Sequence, residues 1–274
     1  MPNDLKESMS LTLSNPRLSQ IEAIAAGSPL SDVAMWRDWA LHVRRHLQNF
    51  AGEGYYLMQE QPQADYDRVA QYIVDHHCPR DMSLATWDCR HGAIAVDTRA
   101  LGPATRAFLD GVVEADYLNR HLPGGLGRQR IIDIGAGYGR LAGIMTRLYP
   151  NLIYQCIDAV PISTFLCEFY LKELGSPARV LTLDQPFQAD IAINVHSWNE
   201  CSLSQITRWI ELLKDTPYLF TVSHNATYST FPYGGASFRP LLESHYDLIA
   251  PEESNALHTD PPHALWARRG ISSK

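Results

Sequence analysis

The 274-residue chain predicts an α/β fold: a seven-stranded sheet, mostly parallel with an antiparallel edge, joined to an N-terminal helical cap. Three observations carry this. From residue 128 onward, short apolar runs alternate with segments whose apolar residues repeat at helical spacing, which is how a parallel sheet covered on both faces reads. A glycine-rich turn, Gly135-Ala136-Gly137-Tyr138-Gly139, joins the first of these strands to its helix. Ahead of residue 128, the periodic segments read as helices. The expected division is 1–125 for the cap and 126–274 for the sheet domain.

In the cap, Ser31 and Asp32 are placed to cap a helix with its stripe at Trp36, Ala40, Val43 and Leu47. Ala51 to Gln63 is glycine-containing and aromatic and reads as loop. Tyr66, Val69, Ala70 and Ile73 make a second helical stripe, and Phe108, Val112 and Ala115 a third that runs towards Leu118. In the sheet domain, strands are expected at 130–134, 152–157, 180–183, 190–195 and 218–222. The helix striped by Leu141, Ile144, Met145 and Leu148 stops at Pro150. The next begins at Pro161, presents Ile162, Phe165, Leu166 and Phe169, and ends at Gly175. Ile206, Trp209, Ile210 and Leu213 stripe a further helix. Too few residues separate the third and fourth strands for a full helix. The late runs 246–250 and 264–268 read as two strands at the antiparallel edge.

Composition excludes several classes. With 23 Lys+Arg against 30 Asp+Glu, the net charge is −7, against the basic excess of a nucleic-acid binder. No run approaches the ~18–20 apolar residues that span a bilayer, and the start MPNDLKESMS lacks the features of a signal peptide. The five cysteines are scattered, without a C-x-x-C pair, and are expected to be reduced thiols in a cytoplasmic protein. The expected partner is a small molecule; a homo-oligomer is compatible with the sequence.

The turn after the first strand reads Asp133-Ile134-Gly135-Ala136-Gly137-Tyr138-Gly139-Arg140. A dinucleotide fingerprint needs its third glycine where Arg140 stands, and a phosphate loop needs a Lys-Ser/Thr end that is missing. Asp133, two residues ahead of the glycines, repels phosphate and attracts a cationic amino-acid moiety. Asp158 ends the second strand, where an acid accepts ribose hydroxyls. The competing reading is a tight strand-to-helix turn with no ligand.

Asp133, the glycines and Asp158 resemble the first motif and acidic loop of class I S-adenosylmethionine-dependent methyltransferases, which have a Rossmann-like seven-stranded sheet. The segments IDIGAGYGRLAGI (132–144), IDAVPISTFLCEFYL (157–171) and DIAINVHSWNECSL (190–203) resemble a bacterial family of sugar O-methyltransferases. Ala136 stands where that family often has glycine, and Trp198, Asn199 and Cys201 depart from its usual residues. The resemblance implies S-adenosylmethionine as cofactor. Asp133, Gly135 and Gly137 would line its methionine part, with Ala136 beside them. Asp158 would hold the ribose, with Ala159 next to it. The implied activity is O-methylation of a sugar or natural-product hydroxyl. The alternatives are transfer to nitrogen or carboxylate, or a cofactor-binding protein that transfers no methyl.

Methyl transfer to oxygen needs alignment and a base. The fourth strand ends in Asn194-Val195-His196-Ser197-Trp198-Asn199-Glu200, and His224 follows the fifth. His196, Glu200 and His224 are the catalytic candidates, and His196 also counts among the cofactor-facing residues. His196 suits a base at neutral pH; Glu200 is favoured by the resemblance, or else caps the following helix. Asp184 and Gln185, after the third strand, are candidates for the adenine amino group or for a plain turn. His76-His77-Cys78 lacks the i,i+4 spacing of helical metal ligands, so no metal is expected. Tyr55, Tyr56, Tyr228, Phe231 and Tyr233, with Gly234-Gly235, are candidates for loops that cover the site.

Overall fold

The computed structural model describes residues 10–31, 34–54, 62–76, 82–230, 235–253 and 263–270. The chain opens with α1 (Pro16–Ala26), α2 (Ala34–Arg45) and α3 (Gln63–His76). A hairpin of β1 (Ala95–Thr98) and β2 (Gly102–Thr105) leads directly into α4 (Arg106–His121). The alternating part follows: β3 (Arg130–Ile134), α5 (Arg140–Leu148), β4 (Ile153–Ile157), α6 (Pro161–Leu174), β5 (Arg179–Leu181), β6 (Ile191–Val195), α7 (Leu203–Leu212) and β7 (Tyr218–Val222). The chain closes through α8 (Arg239–His245), β8 (Tyr246–Leu248) and β9 (His263–Arg268).

The seven-stranded sheet has the order β5-β4-β3-β6-β7-β9-β8, and the first five are parallel. The antiparallel strand is β9, inserted between β7 and β8. The edge strand β8 therefore runs with the parallel set. The strand order reverses beside β3, so a crevice opens at the carboxyl ends of β3 and β6, where open α/β sheets bind ligands.

Side chains alternate across the sheet with period two. Ile131 and Ile193 join the cluster under α4, α5 and α6, whereas Ile132, Ile134 and Ala192 join the cluster under α7 and α8. Asp133 is on the Ile131 side, with Tyr154 of β4 close by in register. The segment between β5 and β6 contains no helix, as its length required.

Several elements escape the periodicity reading. Helix α1 has an Asn15 cap that accepts from the Arg17 N–H, Pro16 at its first position and Gly27 at its end; those signals were present in the sequence. Ser31 does not cap α2. Its hydroxyl donates to the carbonyls of Ala25 and Ser28 and closes the end of α1; Asp32 lies outside the described residues. A π-helical turn at Phe50–Gly54 occupies the start of the expected loop. The N-terminal segment is thus not all helix, because it also carries the β1–β2 hairpin. Nor does it pack separately: Leu18, Val43, Phe50 and Tyr117 share one apolar cluster with Ile131 and Tyr154 of the sheet. Among the described residues, no helix is long and apolar enough to cross a membrane.

Candidate active site

The glycine turn is stitched to the end of β4. The Gly135 N–H donates to Ile157 O at 2.9 Å, and the Gly137 N–H donates to Asp158 Oδ2 at 2.9 Å. The other Asp158 oxygen accepts from the Val160 N–H at 2.8 Å. A carboxylate offers about four lone-pair positions, so about two remain for a ligand. Gly135 has φ +75°, and a Cβ there would lie 2.2 Å from Ser197 Oγ and 2.3 Å from Ser197 Cβ. Gly139 has φ +89°, and a Cβ there would lie 2.8 Å from Cys167 Sγ. The turn therefore needs glycine twice over, for backbone conformation and for close approach.

This turn borders a cavity of about 290 Å³, at the lower end of the range for small-molecule sites. Asp133, Ala136, Gly137, Asp158, Ala159 and Ser163 line one part of it. His196, Glu200 and His224 line it too, together with Trp36 and Trp39 from α2. The structure thus brings the expected residues of β3, β4, β6 and β7 into one space. It does not bring Asp184 and Gln185 there. Both are exposed, and they close a turn in which the Thr182 hydroxyl donates to Asp184 Oδ1 and the Thr182 N–H to Gln185 Oε1. That is the turn role, favoured by Pro186 two residues on.

Both acids are strongly desolvated. Burial raises Asp133 from 3.8 to about 7, against the opposing effects of the Tyr154 hydroxyl, 2.9 Å away, and Arg140. Burial likewise raises Asp158 to about 7, against its two backbone N–H donors. Carboxyls held in this range gain most from a cationic ligand, because a positive charge restores the ionised form. Arg140 and Arg106 also face the cavity; each is paired with an acid of α4, Glu114 at 3.0 Å and Asp110 at 3.2 Å.

At the other end, His196 has φ 64°, a left-handed conformation uncommon outside glycine. Its N–H donates to Val222 O at 2.8 Å, which ties it to β7. Its ring stacks on His224 with centroids 4.4 Å apart and planes 12° apart. Glu200 Oε1 lies 3.7 Å from His224 Nε2, and Glu200 Oε2 accepts from the Trp36 indole N–H. Glu200 does not cap α7, because Ser202 does so by accepting from the Gln205 N–H. Asn199 is buried and fixes this end: its side chain accepts from the His224 N–H and donates to Ser223 Oγ and Ser229 O.

The sequence reading misses Trp36 and Trp39 as site residues, because Trp36 falls on an apolar stripe. It also misses the anchor of the glycine turn. Asp88, buried in the N-terminal segment, accepts from the Tyr138 hydroxyl at 2.9 Å and from the Tyr170 hydroxyl at 2.7 Å. Among the described residues, no cluster of three or more His, Cys, Asp or Glu is arranged to hold a metal ion. His77, Cys78, Tyr55, Tyr56, Phe231, Tyr233 and Gly234 lie outside those residues. Tyr228 is fully buried, its hydroxyl donating to Glu252, and packs on Phe238 and Trp266 instead of covering the site.

No protein-family model and no curated protein matches the sequence. Solved structures resemble it in fold at low identity. Magnesium protoporphyrin IX methyltransferase from Synechocystis PCC 6803, crystallised with bound SAM, is 12% identical over 59% of this chain and 79% of its own, with a TM-score of 0.46. The PH0226 protein from Pyrococcus horikoshii OT3 is 8% identical over 60% and 92%, with a TM-score of 0.48. Human N-acetylserotonin methyltransferase, in complex with SAM, is 16% identical over 59% and 53%, with a TM-score of 0.44.

Proposed function

We propose that this chain is an S-adenosylmethionine-dependent methyltransferase acting on a hydroxyl of a small molecule, a sugar or another natural product. One observation carries the reading. Two desolvated acids at the ends of neighbouring parallel strands, Asp133 and Asp158, share a cavity with the Glu200–His224 pair. The donor set fits the cofactor. Asp133 and Asp158 suit a ligand that carries positive charge, and the lone pairs left on Asp158 suit the two hydroxyls of a ribose.

When bound, the cofactor supplies a methyl group on an electrophilic sulfonium. The chain's own residues do the rest. Gly135 and Gly137 keep the turn close against β4, and Asp88 holds Tyr138 and with it the turn. The Glu200–His224 pair takes up the proton of the acceptor hydroxyl, and His196 supports the His224 ring by stacking on it. The segment before residue 126 shapes the acceptor end through Trp36 and Trp39.

Titration calorimetry with S-adenosylhomocysteine tests the cofactor assignment, with micromolar or tighter binding expected. Glu200→Gln and His224→Ala are expected to lower turnover at least tenfold while leaving that affinity within about threefold. Absence of binding overturns the cofactor assignment. Equal losses of turnover and affinity in both variants overturn the base assignment.

A further inference from the structure

We infer that the acceptor is a planar aromatic molecule bearing a reactive hydroxyl, seated in the corner made by Trp36 and Trp39 with that hydroxyl at Glu200 and His224. This rests on the methyl-transfer reading above and narrows its substrate. Trp36 and Trp39 lie on α2, line the cavity and are half-buried. Their rings meet at 89° with centroids 6.3 Å apart, so one edge meets one face and two π surfaces form a right-angled corner. A flat ring stacks on one wall of such a corner and sets its edge against the other. The stacked imidazoles of His196 and His224 add a third flat surface across Glu200.

Hydrogen-bonding capacity at this end separates a flat ring from a glycosyl group. The Trp36 indole N–H is already engaged by Glu200. The Ser197 hydroxyl donates to Ile134 O and accepts from Asn194, and the Cys201 thiol donates to Ser197 O. Asn199 is held by Ser223, Ser229 and His224. Beside the His196 ring, the Glu200–His224 pair is placed to meet one hydroxyl. A glycosyl acceptor carries several hydroxyls into the cavity, each losing water and needing a new partner. An aromatic ring carries one reactive hydroxyl and buries the rest of its surface on apolar walls.

The proton chemistry agrees. A phenolic hydroxyl titrates near ~10, within reach of an imidazole–carboxylate pair, whereas an aliphatic hydroxyl is a far weaker acid. The proton passes to the His224–Glu200 pair. The phenolic oxygen forms a bond to the methyl carbon as the carbon–sulfur bond breaks, and that bond's electron pair stays on sulfur as a neutral thioether.

The test uses the full chain with S-adenosylmethionine and two acceptor panels, simple phenols and catechols on one side and methyl glycosides on the other. Release of S-adenosylhomocysteine is followed, and acceptor binding to the S-adenosylhomocysteine complex is measured by tryptophan fluorescence. The expected result is kcat/KM at least tenfold higher for the best phenol than for any glycoside. Trp39→Ala should raise KM for that phenol at least tenfold, with kcat and S-adenosylhomocysteine affinity changed less than threefold. Trp39→Phe should recover most of the loss, which a merely misfolded variant does not do. Turnover of glycosides at an equal or better rate overturns the inference and leaves the methyl-transfer reading standing. S-adenosylhomocysteine binding with no phenol bound or turned over overturns it as well. Failure to bind S-adenosylhomocysteine removes the underlying reading itself.

Discussion

Asp158→Asn separates the role of this acid in binding from its role in the fold. In the folded chain, its carboxyl is raised from 3.8 to about 7 by burial. That rise corresponds to roughly 4 kcal/mol held against the ionised form above pH 7. Asparagine removes this penalty. It also turns one of the two oxygens that face the Gly137 and Val160 N–H groups into a donor, leaving an unpaired amide that costs about 1–3 kcal/mol. The two effects oppose each other and the first is the larger, so at pH 8 the variant should be about 1–3 kcal/mol more stable to denaturant than the parent. Cofactor binding has no such compensation. Loss of charge-assisted bonds to ribose hydroxyls, about 1.5–3 kcal/mol, weakens S-adenosylhomocysteine binding roughly 10- to 150-fold. Calorimetry at pH 8 reads the affinity, and urea unfolding reads the stability. The parent should also lose affinity as pH falls below 7, while the variant keeps only the share of that loss that Asp133 contributes, so its fall is shallower and the two curves approach each other. An affinity within threefold of the parent at pH 8 would remove Asp158 from the cofactor site.

Three further outcomes follow from the same geometry. Gly135→Ala forces a side chain into the left-handed region, costing about 1–2 kcal/mol, and drives its Cβ into Ser197. Thermal unfolding should show a loss of at least ~2 kcal/mol with cofactor affinity down more than tenfold, and a variant of parental stability would refute the close approach. Asp88→Ala leaves two buried tyrosine hydroxyls without their acceptor and should destabilise the protein by about 2–4 kcal/mol in urea, with a loosened glycine turn and weaker cofactor binding. Asp133 and Asp158 bind protons more tightly folded than unfolded, so between about pH 4 and 7 the native state holds more protons and stability falls as pH rises, levelling off above 7. His91, lowered chiefly by burial, opposes this, and Asp88, raised by burial, adds to it, so the apo protein should melt lower at pH 8 than at pH 5.5; a rising melting temperature over that interval would contradict the burial of these acids.

The parallel core was legible because its signals are local. Asp133-x-Gly-x-Gly-x-Gly sits between an apolar run and a helical stripe, Pro161 starts a helix and Gly175 ends one, and each of these acts through its own neighbours in the chain. The short link between the third and fourth strands announced the missing helix by length alone. Helix α1 has its Asn15, Pro16 and Gly27 signals, but its apolar stripe of Leu18, Ile21 and Ala25 is too sparse to stand out. The placement of β9 between β7 and β8 was not legible, because strand order depends on pairing and not on composition.

By itself, then, the sequence determined the alternating strands and helices of the parallel core and the acids that end β3 and β4. Backbone propensity, capping and side-chain period act over a few residues, so those features are written where they operate. Tertiary structure alone decided which residues share the cavity. Trp36 meets Glu200 across 164 positions, and Tyr138 meets Asp88 across 50. A helical stripe looks the same whether it faces a packed core or an open crevice. Only the lie of α2 over the carboxyl ends of the strands turned Trp36 and Trp39 from core residues into walls of the site, and only the exposed turn after β5 took Asp184 and Gln185 out of it.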